Sequence, residues 1–158
     1  MVRICFVCLG NICRSPTAEA VFRARVVAAG LADRFEIDSA GLVDHHVGDL
    51  PDPRTRRCAE ARGVVLTHRA RQIQPVDFSR FEVILGMDGA NMERLARMAH
   101  DTGFQGTLRR LRDFDPASPP DSDVPDPYYG GPAGFDAVYD LCDAAAAGLL
   151  AALRPRVA

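Results

Sequence analysis

The chain of 158 residues has no lysine, so all 19 of its basic residues are arginine. Without lysine it lacks the Gly-Lys-Ser/Thr phosphate loop of nucleotide-binding proteins, and it has no ε-amino group for Schiff-base chemistry. It also lacks an apolar stretch long enough to cross a membrane. The apolar start, Met1 to Val7, is shorter than the apolar region of a secretory signal. No repeat and no linker divides the chain, and hydrophobic residues make up 47% of it, which excludes a disordered chain. A single domain over residues 1–158 is expected. Net charge is −2, so nothing in the overall field suits a nucleic acid. The cysteines are Cys5, Cys8, Cys13, Cys58 and Cys142. An odd number without a secretory signal points to a reducing compartment, the cytoplasm, rather than to a disulfide framework. No metal, structural or catalytic, is expected.

The arrangement of strands and helices follows from the pattern of apolar residues. An apolar run near the start, about Val2–Val7, reads as a buried strand. A helix over about Pro16–Ala29 follows, with Ala18, Phe22, Val26 and Ala29 on one face and Gly30 as its stop. A second strand is expected at Phe35–Gly41 and a short helix at Arg54–Arg62, started by Asp52-Pro53 and stopped by Gly63. Phe81–Gly86 reads as the third strand. Asp88, read as a helix cap only, opens a helix over Gly89–Ala99 whose stripe is Met92, Leu95, Ala96 and Ala99. Leu108–Leu111 is a weak fourth strand. The last helix, about Ala133–Leu153, carries Phe135, Val138, Cys142, Ala145, Leu149 and Leu153 on one side. Strands alternating with helices predict an α/β fold: a doubly wound, four-stranded parallel sheet with helices on both faces. In such sheets ligands bind beyond the carboxyl ends of the strands.

The stretch Val7-Cys8-Leu9-Gly10-Asn11-Ile12-Cys13-Arg14-Ser15-Pro16 lies at the first such end. Only five residues separate Cys8 from Arg14, so the loop must curl, and Gly10 and Asn11 are the residue types that tolerate positive φ. Curling turns backbone N–H groups inward as an anion nest, and the next helix adds its positive end. Ser15 suits an N-cap and Pro16 the first helical position. A sulfur beside a guanidinium at a helix start is favoured as thiolate, so Cys8 is expected to be largely ionised near neutral pH. Arg14 offers a planar fork for two phosphate oxygens. A nucleophilic sulfur under a cradle for a tetrahedral oxyanion describes a phosphate-ester hydrolase.

Cys8-Leu9-Gly10-Asn11-Ile12-Cys13-Arg14-Ser15-Pro16 resembles the signature loop of the low-molecular-weight protein tyrosine phosphatases, and the resemblance extends over nearly the whole chain. It implies the same doubly wound fold with the phosphate-binding loop after strand one. It also implies hydrolysis of phosphotyrosine monoesters through a cysteinyl-phosphate, without cofactor or metal. Leu9, Gly10, Asn11, Ile12, Cys13 and Arg14 would bind the phosphate. Ser15 would donate to the Cys8 sulfur, and Asn11 would hold the loop's shape. Ser39-Ala40-Gly41 is similar to the family's second strand end. His68-Arg69-Ala70-Arg71-Gln72 is similar to the segment in which the family places a histidine bonded to the Asn/Ser network, which gives that role to His68.

The long irregular segment 113–131 is rich in proline, aspartate and glycine. Within it Asp126-Pro127-Tyr128-Tyr129-Gly130 resembles the family's acid loop. By that resemblance Asp126 is the general acid, and Tyr128 and Tyr129 wall a slot for a phenyl ring. Composition does not single out Asp126 among its neighbouring aspartates; the motif does. The family usually has an aromatic residue near His45 at the pocket mouth, so a histidine there bears on substrate preference. The pair His45-His46 lacks a third ligand at helical spacing, and metal binding is not expected of it. Cys13 lies near Cys8 around the loop and is expected to close a reversible disulfide with it. The expected partner is a phosphotyrosine-containing protein, with phosphate or similar oxyanions as ligands and the chain as a monomer or weak dimer. Two other readings remain. One is a thioredoxin-coupled arsenate reductase of the same fold, which needs a further cysteine pair after strand three, absent from Gly86–Ala99. The other is a non-catalytic phosphotyrosine-binding module, which would not require both Cys8 and Asp126.

Overall fold

A computed structural model describes residues 1–157 of the chain. Its strands are β1 (Val2–Cys8), β2 (Phe35–Gly41), β3 (Val83–Gly86) and β4 (Thr107–Arg110). They form one sheet in the order β2-β1-β3-β4, and every neighbouring pair is parallel. The helices are α1 (Arg14–Ala28), α2 (Pro53–Glu60), α3 (Asp77–Arg80), α4 (Gly89–Thr102) and α5 (Pro132–Leu153). Short 3₁₀ turns occupy Ala32–Arg34, Leu111–Phe114 and Arg154–Arg156.

Alternation along β1 explains why the chain winds to both sides. Ile4, Phe6 and Cys8 point into a core shared with Val21, Phe22 and Val26 of α1 and with Val138, Cys142 and Leu149 of α5. Cys5 and Val7 point the other way, into a second core with Ile84, Phe78 of α3 and Leu95 of α4. A central strand covered on both faces is therefore apolar at every position but Arg3. Burying Phe6, Phe22, Ile4, Ile84, Leu85 and Leu149 almost completely stabilises the fold by roughly 1.5–3 kcal/mol each. A smaller cluster of Ile12, Cys13, Ala70 and Phe135 seals the back of the loop after β1. No helix among the described residues is long and apolar enough to cross a membrane.

The structure moves several boundaries. The helix after the first loop begins at Arg14, not at Pro16, and β1 runs on to include Cys8. α2 is shorter than expected and ends at Glu60, its Asp52 cap accepting from the Arg54 N–H at 2.8 Å. α4 continues to Thr102 and stops at Gly103, whose φ of 70° only glycine adopts freely. Its buried stripe uses Leu95 with Met92, Met98 and Ala99, while Ala96 faces solvent. β4 starts and ends one residue earlier than expected, because Leu111 leaves the edge strand to bury itself fully in a 3₁₀ turn. α3 is a single turn, too short to leave a periodic signature.

Candidate active site

β1 carries Cys8 to the carboxyl edge of the sheet, where its backbone pairs with Gly41 of β2. Residues 9–13 then curl back to start α1. Asn11 takes the turn with φ at 59°; Gly10 keeps an ordinary negative φ, so only one of the two residues expected to turn left does so. Gly10 is small for another reason: a Cβ there would lie 3.2 Å from the His46 ring. Gly41 matters more. A Cβ on it would lie 3.0 Å from the Leu9 carbonyl oxygen and 3.1 Å from the Gly10 carbonyl carbon, so the loop rests directly on this strand end.

A chain of hydrogen bonds sets the loop's shape. The Asn11 N–H points at the Cys8 sulfur, 3.3 Å away. Asn11 Nδ2 donates to Ser15 Oγ at 2.8 Å and to Ser39 Oγ at 3.0 Å. Asn11 Oδ1 accepts from the Arg71 N–H at 3.0 Å and lies 2.9 Å from His68 Nε2. Ser15 Oγ, already accepting from Asn11, lies 3.0 Å from the Cys8 sulfur, which leaves its own proton free to be donated there. Ser15 therefore does not cap α1 as expected. The residue before the helix is Cys13, which makes no side-chain cap, and Pro16 falls in the third helical position, where its missing N–H still costs nothing. The sulfur and the Asn11 amide draw the Ser15 hydroxyl inward, away from the helix end.

The N–H groups of Gly10, Ile12 and Cys13 have no protein acceptor among the described residues. These are the donors an oxyanion would satisfy. Arg14 faces the same point and is 3% exposed. Its Nη1 meets Asp88 Oδ2 at 2.6 Å and the Val124 carbonyl at 3.1 Å, while Nη2 lies 3.7 Å from Asp126 Oδ2. Burial works against charge on Arg14, yet Cys8, Asp88 and Asp126 together raise its affinity for the proton above that of an ordinary arginine. Asp88 thus does two things. One oxygen caps α4 by accepting from the Asn91 N–H at 2.8 Å, and the other braces Arg14. The cap is legible from sequence; the brace is not, because only the sheet order brings the end of β3 beside Arg14.

Over the cradle lies a cleft of about 340 Å³. Its floor is Cys8, Gly10, Ile12, Cys13 and Arg14, and its walls include Leu9, Val43, His45, His46, Asp126 and Tyr128. The sequence points to His45 but not to His46, which packs 6.4 Å from Tyr128. Tyr128 is held edge-on to Tyr129 and under the Arg54 guanidinium, 5.4 Å from its ring. Tyr129 is 95% exposed and serves as rim rather than wall. Asp126 is half exposed, and its Oδ1 accepts from the Tyr128 N–H at 3.0 Å, a turn that aims the other oxygen toward Arg14. Among the expected residues, Asn11, Ser15 and His68 lie beneath the cradle, not in the cleft. With them, unforeseen, stand Ser39 and Glu19: Ser39 Oγ donates to Glu19 Oε1 at 2.7 Å.

Cys5, Cys58 and Cys142 do not join this site. Cys5 and Cys8 have Cys-x-x-Cys spacing, a pattern shared with metal and redox sites. On a strand, however, residues three apart face opposite ways, and these two belong to different cores. Burial pushes the Cys13 thiol up to about 12 and does the same for Cys142.

Comparison with known proteins agrees with this geometry. The model of the family described as low molecular weight phosphotyrosine protein phosphatase matches residues 3–158. A low molecular weight protein-tyrosine-phosphatase of Streptomyces coelicolor is 49% identical over 156 residues, covering 98% of this chain and 95% of the other. A crystal structure of a protein tyrosine phosphatase from Entamoeba histolytica, with Hepes in its active site, superposes with a TM-score of 0.89 at 33% identity over 99% of each chain. A Drosophila arginine phosphatase superposes with a TM-score of 0.90 at 32% identity, covering 96% of this chain and 97% of that one. From its loop, its sheet and these relatives, the chain belongs to the low molecular weight phosphotyrosine protein phosphatase family.

Proposed function

We propose that this protein hydrolyses phosphotyrosine monoesters of proteins or peptides, in the cytoplasm, through a cysteinyl-phosphate formed on Cys8. The observation that supports it most is the convergence of the Cys8 sulfur, the free N–H groups of the loop and the buried Arg14 on one point at the floor of a cleft. In the first step the sulfur attacks phosphorus in line with the departing phenolic oxygen. Arg14 and the loop amides hold the equatorial oxygens, where charge gathers. Asp126, at the mouth, gives its proton to the leaving oxygen. In the second step water attacks the thiophosphate, Asp126 takes the water's proton, and the sulfur departs as thiolate. The Ser15 hydroxyl, 3.0 Å away, stabilises that departing charge. No step calls on a metal ion.

A second reading is supported by the arginine phosphatase neighbour: phosphoarginine, an N–P phosphoramidate, in the same cradle. The cleft favours the aryl ester. Ile12, Val43, Leu9 and Tyr128 give it an apolar lining suited to a flat ring, whereas a guanidinium would need acceptors beyond Asp126. The test is turnover of p-nitrophenyl phosphate, a phosphotyrosine peptide and phosphoarginine, with arsenate reduction run in parallel. Wild type is expected to prefer the peptide. Asp126→Ala is expected to lose ~10²–10⁴ in rate on the peptide and much less on the better leaving group. Preference for phosphoarginine, or an Asp126→Ala enzyme as fast as wild type on the peptide, would overturn the assignment.

A further inference from the structure

From Asp115 to Gly130 the chain has neither helix nor strand, yet it must hold Asp126 over the cradle to well within an ångström. We propose that Arg110 and Arg112 are positioning residues for Asp126: they grip the chain just before it and so set where the acid stands above Cys8. The inference rests on the reading of Asp126 as general acid.

Arg110 ends β4, and Arg112 lies in the 3₁₀ turn that follows. Arg110 Nη1 donates to the Asp121 carbonyl and lies 3.3 Å from Asp123 Oδ1. Arg112 Nη1 donates to the Asp123 carbonyl at 2.8 Å, and its Nε donates to Ser118 Oγ at 3.2 Å. Both guanidinium groups thus bond main-chain carbonyls, which fixes the backbone rather than only balancing charge. Two local features permit the reach. Gly89 opens α4, and a Cβ there would lie 3.3 Å from Arg110 Nη2, so the guanidinium passes close over the helix start. The gripped chain turns at Asp121, whose φ of 59° aspartate tolerates better than most residues. Arg109, between β4 and the same turn in sequence, pairs instead with Asp113 at 3.2 Å.

Val124 comes next and carries the grip forward. It is fully buried; its N–H donates to the Met87 carbonyl at 2.7 Å, just past β3, and its carbonyl accepts from Arg14 at 3.1 Å. Beyond it stand Pro125, Asp126 and Pro127. Each proline fixes its own φ and keeps the residue before it extended, so the stretch from Val124 to Pro127 has little freedom of its own. A stub this stiff passes the position of Asp123 and Val124 on to Asp126. Releasing either arginine would let the acid wander while the Cys8 sulfur and the loop amides stay where they are.

The test compares Arg110→Ala and Arg112→Ala with wild type, in the full chain, on a phosphotyrosine peptide and on p-nitrophenyl phosphate. Two separate variants guard against one of them misfolding. Each is expected to lower kcat/KM about tenfold on the peptide, and no more than about twofold on p-nitrophenyl phosphate, whose leaving oxygen needs the proton less. Inhibition by inorganic phosphate, which reads the cradle alone, should not change. Arg112→Lys keeps a donor for the Asp123 carbonyl and should recover part of the loss. In an Asp126→Ala background neither alanine variant should lower the peptide rate further. Arg109→Ala, which removes a neighbouring charge without touching residues 121–124, should match wild type. Equal losses on both substrates, a further loss in the Asp126→Ala background, or a loss as large from Arg109→Ala would each overturn the proposal. So would Arg110→Ala and Arg112→Ala enzymes as fast as wild type where Asp126→Ala is slow. An Asp126→Ala enzyme as fast as wild type would instead overturn the assignment of the acid, and the proposal with it.

Discussion

At the scale of single residues, two aspartates that meet the same arginine end in different roles. Asp126 and Asp88 both meet Arg14, but from opposite sides: Asp88 at 2.6 Å as a fixed brace, Asp126 at 3.7 Å and half exposed, free to serve a substrate. Asp126 was legible because it sits in a recognisable five-residue motif. Asp88 was not, because its capping role already accounts for an aspartate before a helix. The two cysteines of the loop differ as well. Burial pushes the Cys13 thiol up to about 12, so at neutral pH it stays protonated, while the Cys8 sulfur faces the Asn11 N–H, the Ser15 hydroxyl and the cleft through which peroxide arrives. Mild hydrogen peroxide should convert Cys8 to a sulfenic acid. Cys13 then displaces its oxygen as water and closes a Cys8–Cys13 disulfide. Peptide mapping checks this: the cross-linked peptide is expected, and sulfinic Cys8 with free Cys13 would count against it.

At the scale of elements, the phosphate loop is held from below by β2 as much as by its own sequence. Gly41 pairs with Cys8 and lets the Leu9 carbonyl approach, while Ser39 accepts from Asn11. Gly41→Ala should therefore lift the loop by a few tenths of an ångström and lower kcat on p-nitrophenyl phosphate by about tenfold or more, with a smaller loss of thermal stability. Steady-state kinetics beside a melting curve would show it; an unchanged kcat would mean that the strand end does not position the loop. Strand one, the loop and the first helix were readable because an apolar run, a turn-forming pair and a 3.6-residue stripe follow one another. The start of α1 was misplaced by local chemistry. Ser15-Pro16 has the form of a helix cap, but the Ser15 hydroxyl finds stronger partners in Cys8 and Asn11. The single turn of α3 and the early end of β4 are set by burial of Phe78 and Leu111 against neighbours distant in sequence, which no local pattern records.

At the scale of the whole molecule, the doubly wound sheet was legible from the alternation of strands and helices, and its strand order was not. That order, β2-β1-β3-β4, places the loop after β1 between the ends of β2 and β3, and so supplies Ser39 on one side and Asp88 on the other. The two cores and the small cluster behind the loop also bury thiols. Cys13 and Cys142 are held up to about 12, and Cys5 well above its ordinary value, in each case mainly by burial. An unfolded thiol ionises near 9.0. From that pH up to about 12 the unfolded chain loses protons that the folded one keeps, so rising pH favours unfolding at ~1.4 kcal/mol per unit for each such thiol. These thiols' contribution to stability should be intact at neutral pH and decline above about pH 9. Urea midpoints at about pH 7.5 and about pH 10 would test this, with a lower midpoint expected at the higher pH.

The central claim is that phosphate passes through the Cys8 sulfur. Rapid acid quench of the Asp126→Ala enzyme with a phosphotyrosine substrate, followed by mass mapping of the digested protein, tests it most directly. Phosphate on the peptide bearing Cys8, and none there in the Cys8→Ser protein along with loss of turnover, is the predicted result. A Cys8→Ser protein that still turns over at the wild-type rate, or a phosphate trapped on any other residue, would contradict it.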